Sequence, residues 1–216
     1  MVTLAINTAS RMTSIALLKD KKVLREESWE SKNDEAEKLM PAIAEICGGG
    51  LRGGLSAGPT FKDLDKIIVV KGPGSFTGLR IGIIVANMIS YLQQIPIYSI
   101  DMYNFLRIAY GPAHDTALVL FAGKSEISIQ FKKNDKPIIS KISEAQKLLK
   151  ERKIKKIFGE LFPEQKEALK NFKFIKPKLT FGEAILKIQT KNLEKSKIVE
   201  PLYIKSPDIS IPKPIK

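Results

Sequence analysis

The stretch KGPGSFTGLRIG, residues 71–82, decides the fold of this 216-residue chain. Residues 65–70 before it have the composition of a buried strand, and residues 79–92 after the turn are almost all apolar. A strand, a glycine-rich turn and a helix in that order predict a β-turn-α unit of an α/β protein. The glycines provide positive φ or close backbone packing, and Ser75 and Thr77 are candidate helix caps.

The predicted helix 79–92 is apolar on nearly all its sides. Between residues 81 and 92 only Gly82, Asn87 and Ser90 are neither apolar nor aromatic. Such a helix has to be covered almost all round, and one face can pack on the sheet of its own lobe. An apolar face left uncovered would mark a partner site, whereas a helix in the centre of the core is the alternative.

Three strands and a second helix precede this unit. Residues 2–7, 14–18 and 23–29 predict an antiparallel meander because their connections are short. Residues 33–47 predict a helix, since their apolar positions recur at helical spacing. The glycine-rich segment Gly48–Thr60 predicts a flexible connector, because no Gly-Lys-Ser/Thr sequence ends it as in a phosphate-binding loop.

The chain as a whole predicts two lobes, residues 1–110 and 111–216, with Gly111-Pro112 interrupting the pattern between them. A strand over residues 95–100 and a helix over 102–110 complete the first lobe. The second lobe is expected to contain strands over residues 116–122, 126–132 and 155–159, helices over 143–152, 163–171 and 181–193, and a proline-rich tail lying extended on the surface.

The formal net charge of +13 is concentrated in the second half of the chain. Residues 130–216 hold 22 Lys+Arg and 10 Asp+Glu. Such a basic segment attracts polyanions such as nucleic acid. Lysines on an ordinary solvated surface fit the same count, and the chain has no aromatic-interleaved basic motif of a known RNA-binding type.

Few residues are placed to carry chemistry. The turn Asn7-Thr8-Ala9-Ser10 stands where actin-like and sugar-kinase-like ATPases hold phosphate and Mg²⁺, but Mg²⁺ binding there needs a carboxylate in place of Asn7. We therefore expect a polar hairpin turn. His114 is the only histidine and is expected in an exposed loop, and Cys47 is expected to be a core or interface thiol. We predict no catalytic residue, no cofactor and no metal.

The composition favours a cytoplasmic protein. A single cysteine excludes an internal disulfide and suits a reducing compartment. The short apolar run at residues 2–6 does not have the form of a signal peptide, and no window has the roughly 20 apolar residues of a membrane span.

Three motifs together resemble the TsaB (YeaZ) family of bacterial tRNA threonylcarbamoyladenosine biosynthesis proteins. They are LAINTAS at residues 4–10, KGPGSFTGLRIG at 71–82 and EPLYIKSP at 200–207. The resemblance implies an actin-like ATPase (ASKHA) fold of two lobes with a degenerate nucleotide site. The sequence departs from the family at residues 33–35, where many relatives have a histidine.

The resemblance also implies a non-catalytic scaffold or activator subunit. It would pair through two first-lobe helices with a TsaD-like catalytic paralogue, and a TsaE-like ATPase would dock on that pair. The complex would form N6-threonylcarbamoyladenosine at position 37 of tRNAs that read codons starting with A. Without its partner the chain would form a homodimer through the same helices.

The partner surface predicted from these helices has nine residues. Replacement of one of them, Ile83→Glu, is expected to abolish pairing and to leave the fold intact. The alternatives are an actin-fold ATPase or small-molecule kinase acting alone, a peptidase, and a direct tRNA-binding module. The nine residues are Leu39, Met40, Ile43, Phe76, Thr77, Leu79, Arg80, Ile83 and Ala86.

Overall fold

A computed structural model of the protein describes residues 1–32, 34–48, 58–111, 114–188 and 190–205. The strands in these ranges are β1 Val2–Asn7, β2 Met12–Lys19, β3 Lys22–Glu30, β4 Lys66–Val70, β5 Ile97–Ile100, β6 Thr116–Phe121, β7 Glu126–Gln130, β8 Ile138–Lys141, β9 Lys156–Glu160, β10 Lys173–Phe174 and β11 Glu194–Ser196. The helices are α1 Glu35–Ile46, α2 Phe76–Gln93, α3 Met102–Tyr110, α4 Ile142–Glu151, α5 Pro163–Ala168 and α6 Phe181–Lys187. No helix of the described ranges is long and apolar enough to cross a membrane.

The first sheet has six strands in the order β11-β5-β4-β1-β2-β3. The predicted antiparallel meander of β1, β2 and β3 is confirmed, with β1 and β2 paired from Val2 opposite Lys19 to Asn7 opposite Ser14. Strands β4 and β5 continue the sheet parallel to β1. Because parallel neighbours need a crossover connection, α1 lies between β3 and β4 in the chain and α2 between β4 and β5.

Helices cover both faces of this sheet. Every residue of β1 is buried, and successive residues of a strand point to opposite faces. The pair α1 and α2 contacts β1, β2 and β4, and the second pair, α3 and α6, reaches the sheet through contacts of α6 with β2 and β3. The core of the first lobe therefore extends on both sides of the sheet.

The second sheet repeats the strand order of the first. Its order is β10-β9-β6-β7-β8, which corresponds to β5-β4-β1-β2-β3, with an antiparallel meander followed by parallel strands. One core of this lobe lies between the sheet and α4, where Ala145 and Leu149 are fully buried. On the other side of this sheet Phe158 is buried in the same core cluster as the residues of the first lobe. The Tyr103 hydroxyl of α3 lies 2.6 Å from Ser128 Oγ of β7.

The division into residues 1–110 and 111–216 does not match this architecture. Phe181, Ala184 and Ile185 of α6 are buried in the core of the first lobe. Strand β11 pairs antiparallel with β5 at the edge of the first sheet. The chain returns to the first lobe because the apolar face of α6 is buried against β2, β3 and α3. The strands of the second lobe are therefore β6 to β10, and this lobe ends near residue 174.

Candidate partner interface and interlobe cleft

The turn between β1 and β2 is closed by its own hydrogen bonds. Asn7 is buried, its Nδ2 donates to Ser10 Oγ at 2.9 Å, and its Oδ1 accepts from the Ala9 amide at 3.1 Å. The predicted polar hairpin turn is confirmed. Mg²⁺ takes hard oxygen ligands, commonly charged ones, and the uncharged Asn7 amide is already used within the turn. These residues do not fit a Mg²⁺-bound phosphate.

The N-terminal part of α2 packs directly on this turn. The Ser75 amide donates to the Ala9 carbonyl oxygen at 2.8 Å, and Ser75 Oγ caps the helix by accepting from the Gly78 amide. A Cβ atom at Gly74 would lie 2.0 Å from the Ala9 oxygen, and one at Gly82 would lie 2.0 Å from Thr8 Oγ1. Glycine is therefore required at both positions by the close approach of the helix to the turn.

Glu160 connects the second lobe to the same turn. It lies at the end of β9, and its carboxylate accepts hydrogen bonds from the Arg11 amide at 3.3 Å and from Ser10. Desolvation raises the pKa of the Glu160 carboxyl, although these hydrogen bonds and the nearby charges of Lys166 and Arg11 act in the opposite direction. Within the described ranges, no three His, Cys, Asp or Glu side chains are grouped so that they could hold a metal ion.

A cavity of about 560 Å³ opens between the two lobes. Two aromatic pairs stand in its wall, Phe76 with Tyr203 at 4.6 Å and Phe121 with Phe162 at 4.9 Å between ring centroids. Among the residues that the structure describes, its lining contains no carboxylate, His, Ser, Thr or Cys side chain. The described lining therefore offers apolar contact and lysine charge.

The remaining reactive side chains lie elsewhere. His114 is exposed, as predicted. Cys47 is buried at the end of α1, and desolvation raises the pKa of its thiol to about 11, so it is a core thiol of low reactivity. Of the predicted connector Gly48–Thr60, residues 49–57 lie outside the described residues, as does Asn33.

Helix α2 exposes a continuous apolar stripe. Ile84, Met88, Tyr91 and Leu92 are 64%, 41%, 76% and 65% exposed. At 100° per residue, these four positions fall within one sector of the helix surface, and Thr77 and Arg80 extend the stripe toward the N-terminus of α2. We call these four residues the α2 stripe.

The nine predicted interface residues divide into three groups. Leu39, Ile43, Leu79, Ile83 and Ala86 are at most 3% exposed and pack in the core of their own lobe. Met40 and Phe76 are half-buried, while Thr77 and Arg80 are exposed. The expectation that Ile83→Glu leaves the fold intact is thereby corrected, because it would place an unpaired charge in the core.

A strap formed by residues 199–203 borders the α2 stripe on one side. The side-chain amide of Asn87 binds both backbone groups of Val199, each at 2.9 Å. The Leu202 amide donates to the Lys71 carbonyl oxygen at 2.7 Å, and Arg80 Nε donates to the Tyr203 hydroxyl at 3.0 Å. Residues 199–203 of the predicted extended tail thus lie along α2, the tail beyond residue 205 lies outside the described residues, and α1 contacts α2 as well.

Comparison with known proteins finds several relatives named TsaB. The chain is 36% identical over 106 residues to "tRNA threonylcarbamoyladenosine biosynthesis protein TsaB" of Bacillus subtilis, covering 49% of this chain and 43% of that protein. The protein of the same name from Buchnera aphidicola is 35% identical over 105 residues, covering 49% and 46%. The chain thus matches less than half the length of either relative.

The solved structure "YeaZ from Pseudomonas aeruginosa" has a TM-score of 0.51 at 24% identity, covering 64% of each chain. Another, described as similar to peptidase YeaZ from the same organism, has a TM-score of 0.55 at 21% identity, covering 73% of this chain and 74% of that one.

Two lobes built on one strand order define this protein as a member of the actin-like ATPase (ASKHA) fold class. A family model described as "TsaD: tRNA N6-adenosine threonylcarbamoyltransferase" matches residues 30–209. The chain belongs to that family, and about half of its length is similar to the proteins named TsaB.

Proposed function

We propose that the chain is a cytoplasmic, non-catalytic scaffold or activator subunit in tRNA threonylcarbamoyladenosine biosynthesis. Its TsaD-like partner would carry the activity and form N6-threonylcarbamoyladenosine at position 37 of tRNAs that read codons starting with A. The names of the TsaB relatives support the pathway. The α2 stripe is the observation that carries the scaffold role.

The α2 stripe has the properties of a protein-binding surface. Its four side chains are large and apolar, they adjoin one another, and they lie on a helix of 18 residues. Contiguous exposed apolar patches on soluble proteins mark interaction sites, and burial of each such side chain contributes about 1.5–3 kcal/mol. An amphipathic helix of a partner can pack along this stripe.

Only four of the nine predicted interface residues are proposed as direct contacts. Thr77, Arg80, Met40 and Phe76 remain proposed contacts at the edges of the stripe. The five buried residues would support the interface from beneath by fixing α1 and α2 in place. The same surface would form a homodimer when the partner is absent, and a TsaE-like ATPase would join the heterodimer.

The closed turn at Asn7 separates this proposal from the ATPase or kinase alternative. Phosphate transfer depends on Mg²⁺ and on groups positioned around the phosphates. The Asn7 side chain is occupied by Ser10 and Ala9. The alternative would be favoured if the pure chain hydrolysed Mg-ATP measurably and an inactivated preparation of it did not.

Light scattering on a sizing column tests the proposal directly. The chain is measured alone and mixed with the TsaD-like protein of the same genome. A one-to-one heterodimer that replaces the single or self-paired species supports the scaffold role. If the two proteins elute separately with and without nucleotide, the proposed function is wrong.

A further inference from the structure

A second cavity lies in the second lobe, at the opposite end of β6 from the interlobe cleft. Its volume is about 470 Å³, and Thr116 at the start of β6 is among its lining residues, whereas Phe121 at the end of β6 lines the cleft. At about 3.3 Å per residue, the two sites are about 17 Å apart along the strand. Three cationic side chains line the second cavity: Arg107, Lys132 and Arg152. We call it the basic pocket.

Arg107 is held in the basic pocket by uncharged groups. Its Nε donates to Gln130 Oε1 at 3.0 Å, and its Nη2 donates to the Gln130 carbonyl oxygen at 3.2 Å. Desolvation lowers the pKa of the Arg107 guanidinium, and the Asp135 carboxylate offsets only part of this effect. A cation that is desolvated and held by neutral partners gains from binding an anion.

Arg152 is stacked on the Phe131 ring in the lining of the same pocket. The guanidinium carbon of Arg152 lies 4.3 Å from the centroid of the Phe131 ring. Such arginine–aromatic pairs contact both the phosphates and the bases of single-stranded nucleic acid. Lys132 follows Phe131 directly and is exposed, so it adds a mobile charge at the rim.

The cations of the basic pocket outnumber the nearby carboxylates, those of Asp115 and Asp135. Among residues that the structure describes, none forms an ion pair within 4.0 Å of Arg107, Lys132 or Arg152. The acidic residue of its lining, Asp115, lies 4.0 Å from Lys156 Nζ. Residues 114–180 hold 16 Lys+Arg against 8 Asp+Glu. The pocket is therefore an electropositive concavity in an electropositive lobe, which concentrates polyanions.

We propose that the basic pocket binds backbone phosphates of an RNA strand, with Arg107 and Arg152 as the anchoring cations. The inference rests on the proposed function, since the RNA is the tRNA presented to the TsaD-like partner. The chain would then contact RNA with its second lobe and its partner with α2 of the first.

The test measures binding of fluorescein-labelled tRNA transcript to the full chain by fluorescence anisotropy, at several salt concentrations between about 50 and 200 mM. The pocket variant Lys132→Gln/Arg152→Gln removes two exposed charges. The control variant Lys147→Gln/Lys170→Gln removes two exposed lysines of the same lobe that lie outside the pocket lining. Thermal unfolding checks that both variants are folded.

We expect the pocket variant to bind tRNA on the order of tenfold more weakly and its salt slope to fall by about two, while the control stays within about twofold of the original chain. Equally weakened tRNA binding by both variants would mean that net charge alone determines the affinity, and the proposal for the pocket would be wrong. Inorganic phosphate and AMP are tested as competitors. If they bind and the pocket variant keeps full tRNA affinity, the pocket is a small-molecule site and the RNA proposal is wrong.

Failure of this inference differs from failure of the proposed function. Pairing with the TsaD-like protein is measured by light scattering for the same variants, and we expect it to be unchanged in both. An original chain that never pairs refutes the scaffold role, whatever its affinity for tRNA. A chain that pairs and whose tRNA affinity is the same with and without the pocket charges refutes only the basic pocket.

Discussion

We expect substitutions at two adjacent isoleucines of α2 to separate the proposed pairing from folding. Ile84 is 64% exposed in the α2 stripe, whereas Ile83 is 3% exposed in the core. Glutamate at position 84 would remove apolar contact of about 1–2 kcal/mol from the interface and would leave a carboxylate buried there without a partner. Since a desolvated unpaired charge costs a few kcal/mol more, we expect Ile84→Glu to weaken pairing by at least about a hundredfold, with little change in unfolding temperature.

Glutamate at position 83 is expected to act on the fold instead. Loss of a buried isoleucine and burial of a charge together cost about 5 kcal/mol, and a domain of this kind has a free energy of unfolding of about 5–15 kcal/mol. Ile83→Glu should therefore unfold at much lower temperature or denaturant concentration.

Sedimentation velocity with the TsaD-like partner and thermal unfolding by circular dichroism measure the two effects. Ile138→Glu, at an exposed isoleucine of the second sheet, is the matched control and should alter neither pairing nor stability. Normal pairing by Ile84→Glu, or native stability of Ile83→Glu, would refute the assignment of the two faces of α2.

Three further predictions concern the turn, the Glu160 carboxylate that contacts it, and the strap. Gly82→Ala should destabilise the fold by about 1–3 kcal/mol in urea unfolding, because its Cβ would meet Thr8 Oγ1. Adding Thr8→Ala to this variant should restore part of the loss. Thr8→Ala should not rescue Gly74→Ala, whose Cβ would clash with the Ala9 carbonyl oxygen. Glu160→Gln should raise the free energy of unfolding at neutral pH. Because the pKa of Glu160 is raised in the folded state, the original chain loses stability as pH rises above the ordinary glutamate pKa of about 4.3. Below that pH the stability advantage of the variant should vanish. A variant advantage that persisted at low pH would contradict this linkage. Asn87→Ala should release Val199 and speed proteolysis of residues 199–203, and unchanged cleavage would show that the two hydrogen bonds do not hold the strap.

Local patterns predicted most of the elements. The meander, α2 and α3 follow from alternation, capping and helical spacing, which depend on neighbouring residues. Helix α2 begins at Phe76, three residues before the predicted start, because Ser75 caps it. Strand β8 was missed, since its residues are mostly exposed and lack alternation. The return of α6 and β11 to the first lobe depends on contacts distant in the chain, which no local pattern contains.

The sequence pointed to α2 as the partner-binding helix, which stays a prediction, but it did not indicate which face of the helix is exposed. An almost uniformly apolar helix gives no periodic signal for its buried side. One signal was present: Gly82 and Ala86 are small and four residues apart, which marks a side of close approach. That side faces Thr8 and the core of the same lobe, so the large residues Ile84, Met88 and Tyr91 lie opposite it.

The return of the chain to its first lobe sets the order in which the molecule is completed during synthesis. A ribosome releases residues 1–110 first, and these contain α2 but lack α6, β11 and the strap. The second lobe then emerges before the strap can bind Asn87 and Tyr203 can pack beside Phe76. The stripe on α2 thus acquires its finished border only after residue 203 has been made, and a chain terminated before that point displays an apolar helix that chaperones and proteases can recognise.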